Sequence, residues 1–271
     1  MSSLLIHRHA ATTAGTPVNA YVIESPEELV VVDATLTVDD GCALRERVAA
    51  LGKPLAGVVI THAHPDHYGG LVELLAGRDS VPVHATQAVI DAIVRDDSVK
   101  EQILRPMFGD QWAPERAFPD TPVADGDTLK LGQIALRVTD LGPGESPADS
   151  VWALSDGRVF SGDLAYDRHH CYLADGFHQQ WLANLERMRA DLPERATLYP
   201  GHGLPCGLEV LDWQRGYIET MLDAIGRADW GDRDAARAQV AARMRAYLPT
   251  EALAFLMELS IEPLAPQAVT G

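Results

Sequence analysis

Basic residues are scarce in this chain: 22 Lys and Arg stand against 39 Asp and Glu, a formal net charge of −17 over 271 residues. An acidic chain without a basic patch is repelled by a nucleic-acid backbone and by an anionic bilayer, so neither is an expected partner. Cysteine is scarcer still. Cys42, Cys171 and Cys206 are odd in number and contain no Cys-x-x-Cys pair, which argues against a disulfide framework and for a reducing compartment. Long apolar runs are missing as well: no stretch approaches the roughly 20 residues of a spanning helix, and Leu4-Leu5-Ile6 is too short for a secretory signal. A cytoplasmic location is the expectation. No repeat or low-complexity tract appears, and the length suffices to bury a sizeable core.

Histidine, by contrast, is concentrated. The run Thr61-His62-Ala63-His64-Pro65-Asp66-His67 follows directly on the apolar stretch Gly57-Val58-Val59-Ile60. Imidazole nitrogens and a carboxylate on a Pro-containing turn at the end of a buried strand are donors that zinc and similar borderline metals favour. On an extended backbone His62 and His64 point the same way, while Asp66 and His67 lie beyond a turn that swings them toward a neighbouring point. One short loop therefore serves two metal ions, provided further ligands arrive from elsewhere.

This loop resembles the signature of the metallo-β-lactamase superfamily, His-x-His-x-Asp-His, which is followed there by a third histidine, a bridging aspartate and a last histidine on separate loops. Phe160-Ser161-Gly162-Asp163 offers the bridging carboxylate, and Tyr199-Pro200-Gly201-His202-Gly203 the last histidine. Upstream, Asn19-Ala20-Tyr21-Val22-Ile23 and Leu29-Val30-Val31-Val32-Asp33 are similar to the family's opening hairpin, whose second strand ends in an aspartate supporting the metal loop. The resemblance runs from about residue 18 to beyond 203.

The third histidine is replaced. In its frame the chain reads Leu141-Gly142-Pro143-Gly144-Glu145-Ser146-Pro147, so the ligand there would be Glu145, a local resemblance to the alkylsulfatase branch. A helix-capping or outer position is the alternative for Glu145. As a ligand it makes the core formally neutral: Glu145, Asp66, Asp163 and a bridging hydroxide match the four charges of two divalent ions. Oxygen in place of nitrogen also hardens the first site, so iron and manganese compete better against zinc, which remains the leading candidate.

The resemblance implies that His62, His64 and Glu145 hold the first metal, and Asp66, His67 and His202 the second, with Asp163 bridging. It further implies a hydroxide between the ions as nucleophile, with Asp66 orienting it and taking its proton. The expected function is hydrolysis of a thioester, lactone or related ester of a small molecule, as in glyoxalase II-like members. Two alternatives differ in class or substrate: a non-haem iron oxygenase of the persulfide dioxygenase type using His62, His64 and Glu145, and a small sulfate-ester or β-lactam hydrolase.

Periodicity gives a helix over residues 40–51, then short strands at 58–60, 81–84, 128–131, 134–138, 151–154 and 158–160. With helices between and outside these groups, the expected fold is α/β, an αββα four-layer sandwich of two mixed sheets flanked by helices. The expected organisation is a catalytic domain over 1–229 and a C-terminal helical extension over 230–271 packed on it. In relatives such additions form substrate pockets or dimer contacts, and a homodimer is admitted. Pro106 to Pro114 reads as an irregular flap, with Met107, Phe108 and Trp112 either walling the pocket or packing beneath a loop. Tyr166, His169 and His170 are candidates for substrate contact, with a core or surface role as the alternative for both histidines.

Overall fold

The computed structural model describes residues 4–11, 16–78 and 80–266. One sheet is built from β1 (Leu5–Ala11), β2 (Val18–Glu24), β3 (Leu29–Val32), β4 (Leu55–Val59), β5 (Val83–Ala85) and β6 (Thr121–Pro122), in that order. The other follows the order β11-β10-β9-β8-β7, from β7 (Thr128–Leu131), β8 (Ile134–Gly142), β9 (Asp149–Ala153), β10 (Arg158–Tyr166) and β11 (Thr197–His202). Both sheets are mixed. In the first, β1 to β3 pair antiparallel and β3 to β6 parallel; in the second, only β10 and β11 run parallel.

Alternation along the strands explains the layering. Tyr21, Ile23, Val30, Val32 and Val59 face the second sheet and pack with Ile134, Leu136, Val138, Trp152 and Phe160. Their neighbours Val22, Leu29, Val31 and Val58 point the other way, onto a cluster that holds Leu44, Val48, Val89 and Ile93. Those four lie on α1 (Val38–Ala50) and α4 (Gln87–Phe108), with two short helices, α2 (Pro65–Tyr68) and α3 (Leu71–Leu75), between them in the chain. Because both faces are covered, these strands read as continuous apolar runs.

On the outer face of the second sheet, α5 (His178–Asp191) and α6 (Glu209–Arg227) pack on β10, and α7 (Arg233–Tyr247) and α8 (Ala254–Leu264) pack in turn on α6. Trp181, Tyr217, Met221, Val240, Met244, Met257 and Ile261 share one buried cluster, so residues 230–266 are continuous with the core of the preceding helices. Residues 267–271, the end of the expected extension, lie outside the described residues. Among the described residues, no helix is long and apolar enough to cross a membrane.

Most elements differ from the expected bounds by a few residues, and two of the differences bear on the site. The helix α4 carries through Pro106 and Met107 to Phe108, where Gly109 at φ +54° ends it, so the flap begins later than its proline suggests. The strand β10 runs past Phe160 to Tyr166, with register shifts at Gly162 and Tyr166 against β11. Such irregularities re-aim side chains, and here they straddle Asp163.

Candidate metal centre

The strand β4 delivers Thr61 onto Asp33, which follows β3. The Thr61 amide donates to Asp33 Oδ1 and its hydroxyl to Oδ2, both at 2.9 Å, and His67 Nδ1 lies 2.9 Å from the same Oδ2. One buried carboxylate thus holds both ends of the histidine turn. Between them a single helical turn, α2 (Pro65–Tyr68), begins with Pro65 and carries Asp66 and His67 away from the extended His62-Ala63-His64.

Each metal-facing imidazole has its remote nitrogen engaged. His62 Nδ1 is 2.9 Å from Thr61 Oγ1, His64 Nε2 is 3.0 Å from Asp175 Oδ2, and His202 Nδ1 meets the Pro17 carbonyl. Those contacts, with that of His67, leave His62 Nε2, His64 Nδ1, His67 Nε2 and His202 Nε2 as the nitrogens that face inward. Fixing the tautomer from outside in this way is how metal-binding histidines are oriented.

The remaining donors arrive on loops locked by backbone contacts. The segment after β8 crosses the histidine turn: Ser150 N donates to Thr61 O at 2.9 Å, and Asp149 forms a bridge with His62. Ser146 N donates to Asp149 Oδ2 at 3.0 Å, which sets the loop that carries Glu145. Asp163 follows Gly162, whose φ of +51° and whose missing Cβ, which would meet Thr61 Oγ1 at 2.6 Å, leave only glycine there. On the opposite wall the His202 turn is held from the first sheet, with Tyr21 donating to Pro200 O at 2.7 Å and Asn19 donating to both Pro200 O and Gly203 O.

The seven side chains named from the sequence converge as two clusters, His62, His64 and Glu145, and Asp66, His67, Asp163 and His202, with donor atoms in each within 4.8 Å of one another. Glu145 Oε2 lies 2.7 Å from His64 Nδ1 and 3.7 Å from His62 Nε2. Asp163 reaches both groups: Oδ1 is 3.2 Å from His67 Nε2, while Oδ2 is 3.0 Å from His202 Nε2 and 3.9 Å from His62 Nε2. Asp66 Oδ2 stands 3.3 Å from His202 Nε2. Six of these residues are buried, and Asp66 alone keeps a half-open side chain.

A cation fits this arrangement on an independent ground. His62 Nε2, His67 Nε2, His202 Nε2, Glu145 Oε2 and Asp163 Oδ1 are buried atoms that make no hydrogen bond although most lie within ion-pair distance of one another, and all belong to the two clusters. Five buried donor atoms aimed at common points without hydrogen bonds fit a metal ion. The electrostatics agree. In the metal-free protein, burial lowers the pKa of His64 and His202, but Glu145 and Asp175 together outweigh it at His64, and Asp163 and Asp66 together at His202, pushing each up to about 10. His62, buried beside His67, is held well below the usual imidazole value. Burial raises the Glu145 carboxyl to about 7, against the attraction of His64. Protons thus occupy part of the place that divalent charge would fill.

The substrate candidates divide. Tyr166 lies in the site: its hydroxyl is 2.9 Å from Glu145 Oε1 and 2.7 Å from Asp163 Oδ2, and its ring stacks on His202 at 4.9 Å. Burial pushes this phenol well above its usual pKa, so it remains a proton donor. Met107 and Phe108 line a cavity of about 590 Å³ that opens from His64, Asp66, Glu145 and Asp163. Three candidates do not line it. Trp112 is buried under the Arg116 guanidinium, 4.2 Å from its ring, and serves packing. His170 is buried between Tyr217 Oη at 2.8 Å and the Thr250 carbonyl at 3.1 Å, which makes it a brace for the chain before α8. His169 turns to the Asp167 carbonyl at 2.7 Å, its ring 6.4 Å from that of His202.

Sequence reasoning missed three contributors. Asp175 holds His64, Tyr172 sets its ring edge-on to His64 at 5.4 Å, and Lys100 on α4 donates to Ala63 O at 3.1 Å. Asp175 and Tyr172 lie in the polar stretch after Asp163, where titratable residues crowd near a ligand. Lys100 carries no local signal, because a lone lysine on a long helix ordinarily faces solvent.

The family model described as Metallo-beta-lactamase superfamily matches residues 13–202. Among curated proteins the chain is similar to a hydroxyacylglutathione hydrolase of Methylobacillus flagellatus, 31% identical over 62% of this chain and 57% of that protein. It is also similar to the acyl-coenzyme A thioesterase MBLAC2 of Bos taurus, 30% identical over 57% of this chain and 60% of that protein. The chain thus spans 57–60% of the length of these two relatives. Among solved structures, a beta-lactamase domain protein from Burkholderia ambifaria shares the fold with a TM-score of 0.71 and 20% identity, covering 98% of this chain and 86% of that one.

Proposed function

The chain belongs to the metallo-beta-lactamase superfamily, and from that premise we propose that it is a dinuclear metal-dependent hydrolase of small carboxylic esters, thioesters foremost. The observation that carries the reading is the pair of donor clusters joined by the buried Asp163 at the floor of an open cavity. Two divalent ions in this cradle, zinc first and iron or manganese as competitors, would supply an activated water and polarise the ester carbonyl.

The protein's own groups account for the rest. Asp66 is the half-open carboxylate of the set and lines the cavity, so it orients the nucleophile and accepts its proton as the tetrahedral intermediate collapses. Tyr166 Oη lies between Glu145 and Asp163 and holds both in register; its single proton serves one carboxylate at a time. Asp33 and Asp175 keep His67 and His64 from turning when substrate enters. The hydroxyacylglutathione hydrolase and the acyl-coenzyme A thioesterase among its relatives support a thioester as the scissile group. The reading includes a small-molecule substrate, no nucleic-acid or membrane partner, and a cytoplasmic setting, resting on the acidic charge and the three unpaired-count cysteines.

Metal analysis with a hydrolysis panel of thioester, lactone, β-lactam, phosphate ester and sulfate ester tests the proposal. Two ions per chain and turnover of the thioester or lactone are expected. One iron per chain with oxygen consumption and no hydrolysis would overturn it in favour of oxygenase chemistry.

A further inference from the structure

The cavity that starts at the metal-facing carboxylates does not end there. It continues between α4 and α8, where Val99, Ile103 and Met107 on one side face Phe255, Leu256 and Leu259 on the other. The three α4 residues recur every fourth position and form a single stripe about 12 Å long. Val99, Ile103, Met107 and Leu259 remain 53–59% exposed, although each is large and apolar. Apolar surface gathered in one groove, rather than scattered, marks a binding site.

The charges narrow the occupant. Lys100 is the lone Lys or Arg lining the cavity among the described residues, and its ammonium already donates to Ala63 O beside Asp96 and Asp175. A polyanionic substituent would find no free cation there. The groove wall is fixed relative to the site: Ser260 of α8 accepts from Leu173 N at 2.8 Å, and Ala252 O, just before α8, accepts from His170 N at 3.1 Å. The same 170–175 segment presents Asp175 to His64. Because the groove runs inward to the metal-facing carboxylates, its occupant must end in the reacting group, which a second copy of this chain cannot supply.

We propose that the groove between α4 and α8 takes the unbranched aliphatic chain of the substrate's acyl half, so that the substrates are medium- to long-chain acyl esters or thioesters. The inference rests on the hydrolase reading for its chemistry but on the groove for its specificity. Hydrolysis adds one water across the acyl bond, releasing a thiol or alcohol and the fatty carboxylate.

Two measurements on the zinc-loaded full chain test it: kcat/KM for thioesters of one thiol from butanoyl to dodecanoyl, and calorimetric binding of the matching carboxylates. Both are expected to rise about fourfold per methylene until the groove is filled. Replacing two exposed positions, Ile103→Gln with Leu259→Gln, should leave the fold intact by circular dichroism and cut that slope by half or more, mainly through KM. Turnover and carboxylate binding that ignore chain length would overturn the groove proposal and leave the hydrolase reading standing. No hydrolysis, but carboxylate binding that steepens with length and flattens in the variant, would support the groove while the hydrolase reading falls. A dimer in sedimentation that the double substitution dissociates, without any chain-length slope, would assign the face to self-association and overturn the proposal.

Discussion

Glu145 decides what kind of metal site this is. It stands where the superfamily signature places a histidine, and its buried Oε2 lies 2.7 Å from His64 Nδ1 and 3.7 Å from His62 Nε2, facing the point that both imidazoles face, as the proposed ligand role requires. Glu145→Ala should therefore lower bound zinc from two to about one per chain, measured by plasma mass spectrometry, and reduce turnover by more than about a hundredfold, beyond the 10–100-fold typical of supporting residues. Full occupancy with unchanged turnover would return Glu145 to a supporting role. The clustering of these side chains was legible because metal chemistry demands particular residues, and few arrangements place so many near one another by chance. Trp112 and His170 were not. Aromatic and imidazole groups serve packing as readily as binding, and only the Arg116 guanidinium over Trp112 and the Tyr217 hydroxyl on His170 reveal which.

At the scale of elements, the loops that carry the ligands are built around missing side chains. A Cβ at Gly201 would lie 1.9 Å from Asp163 Oδ1 and 2.6 Å from His67 Cε1, so β11 approaches β10 closely only because residue 201 has none. Gly201→Ala should push Asp163 off its shared position and weaken metal binding about 10–100-fold, the range for displaced supporting contacts. Competition with a chelator reads this directly; an unchanged affinity would contradict the close packing. Most of the strands were readable from their alternation or apolar continuity, but β6 and β11 were not, and neither were the ends of the others. The continuation of β10 past Asp163 depends on parallel pairing with β11 through two register shifts, a non-local contact that periodicity does not carry. The continuation of α4 through Pro106 runs against local propensity, which places a helix end before proline.

Across the whole molecule, the last two helices belong to the core. Val240, Met244, Met257 and Ile261 are buried with Trp181 and Tyr217, and removing four such side chains costs on the order of 6–12 kcal/mol. That is comparable with the roughly 5–15 kcal/mol that hold a domain folded. A chain ended at residue 229 should consequently lose its cooperative thermal transition in calorimetry, whereas a melting point within a few degrees of the full chain would make residues 230–271 a separate appendage. The four-layer plan was readable from the order of strands and helices. The apolar groove was not, because it joins α4 to α8, more than a hundred residues apart, and each helix alone looks merely amphipathic. On the proposed reading, the seven clustered side chains hold two cations that share Asp163. Anomalous diffraction from crystals of the zinc-loaded protein tests it most directly. Two peaks about 3.5–4 Å apart are expected, one among His62, His64 and Glu145 and the other among Asp66, His67 and His202; a single peak, or Glu145 turned away from both, would overturn the dinuclear reading.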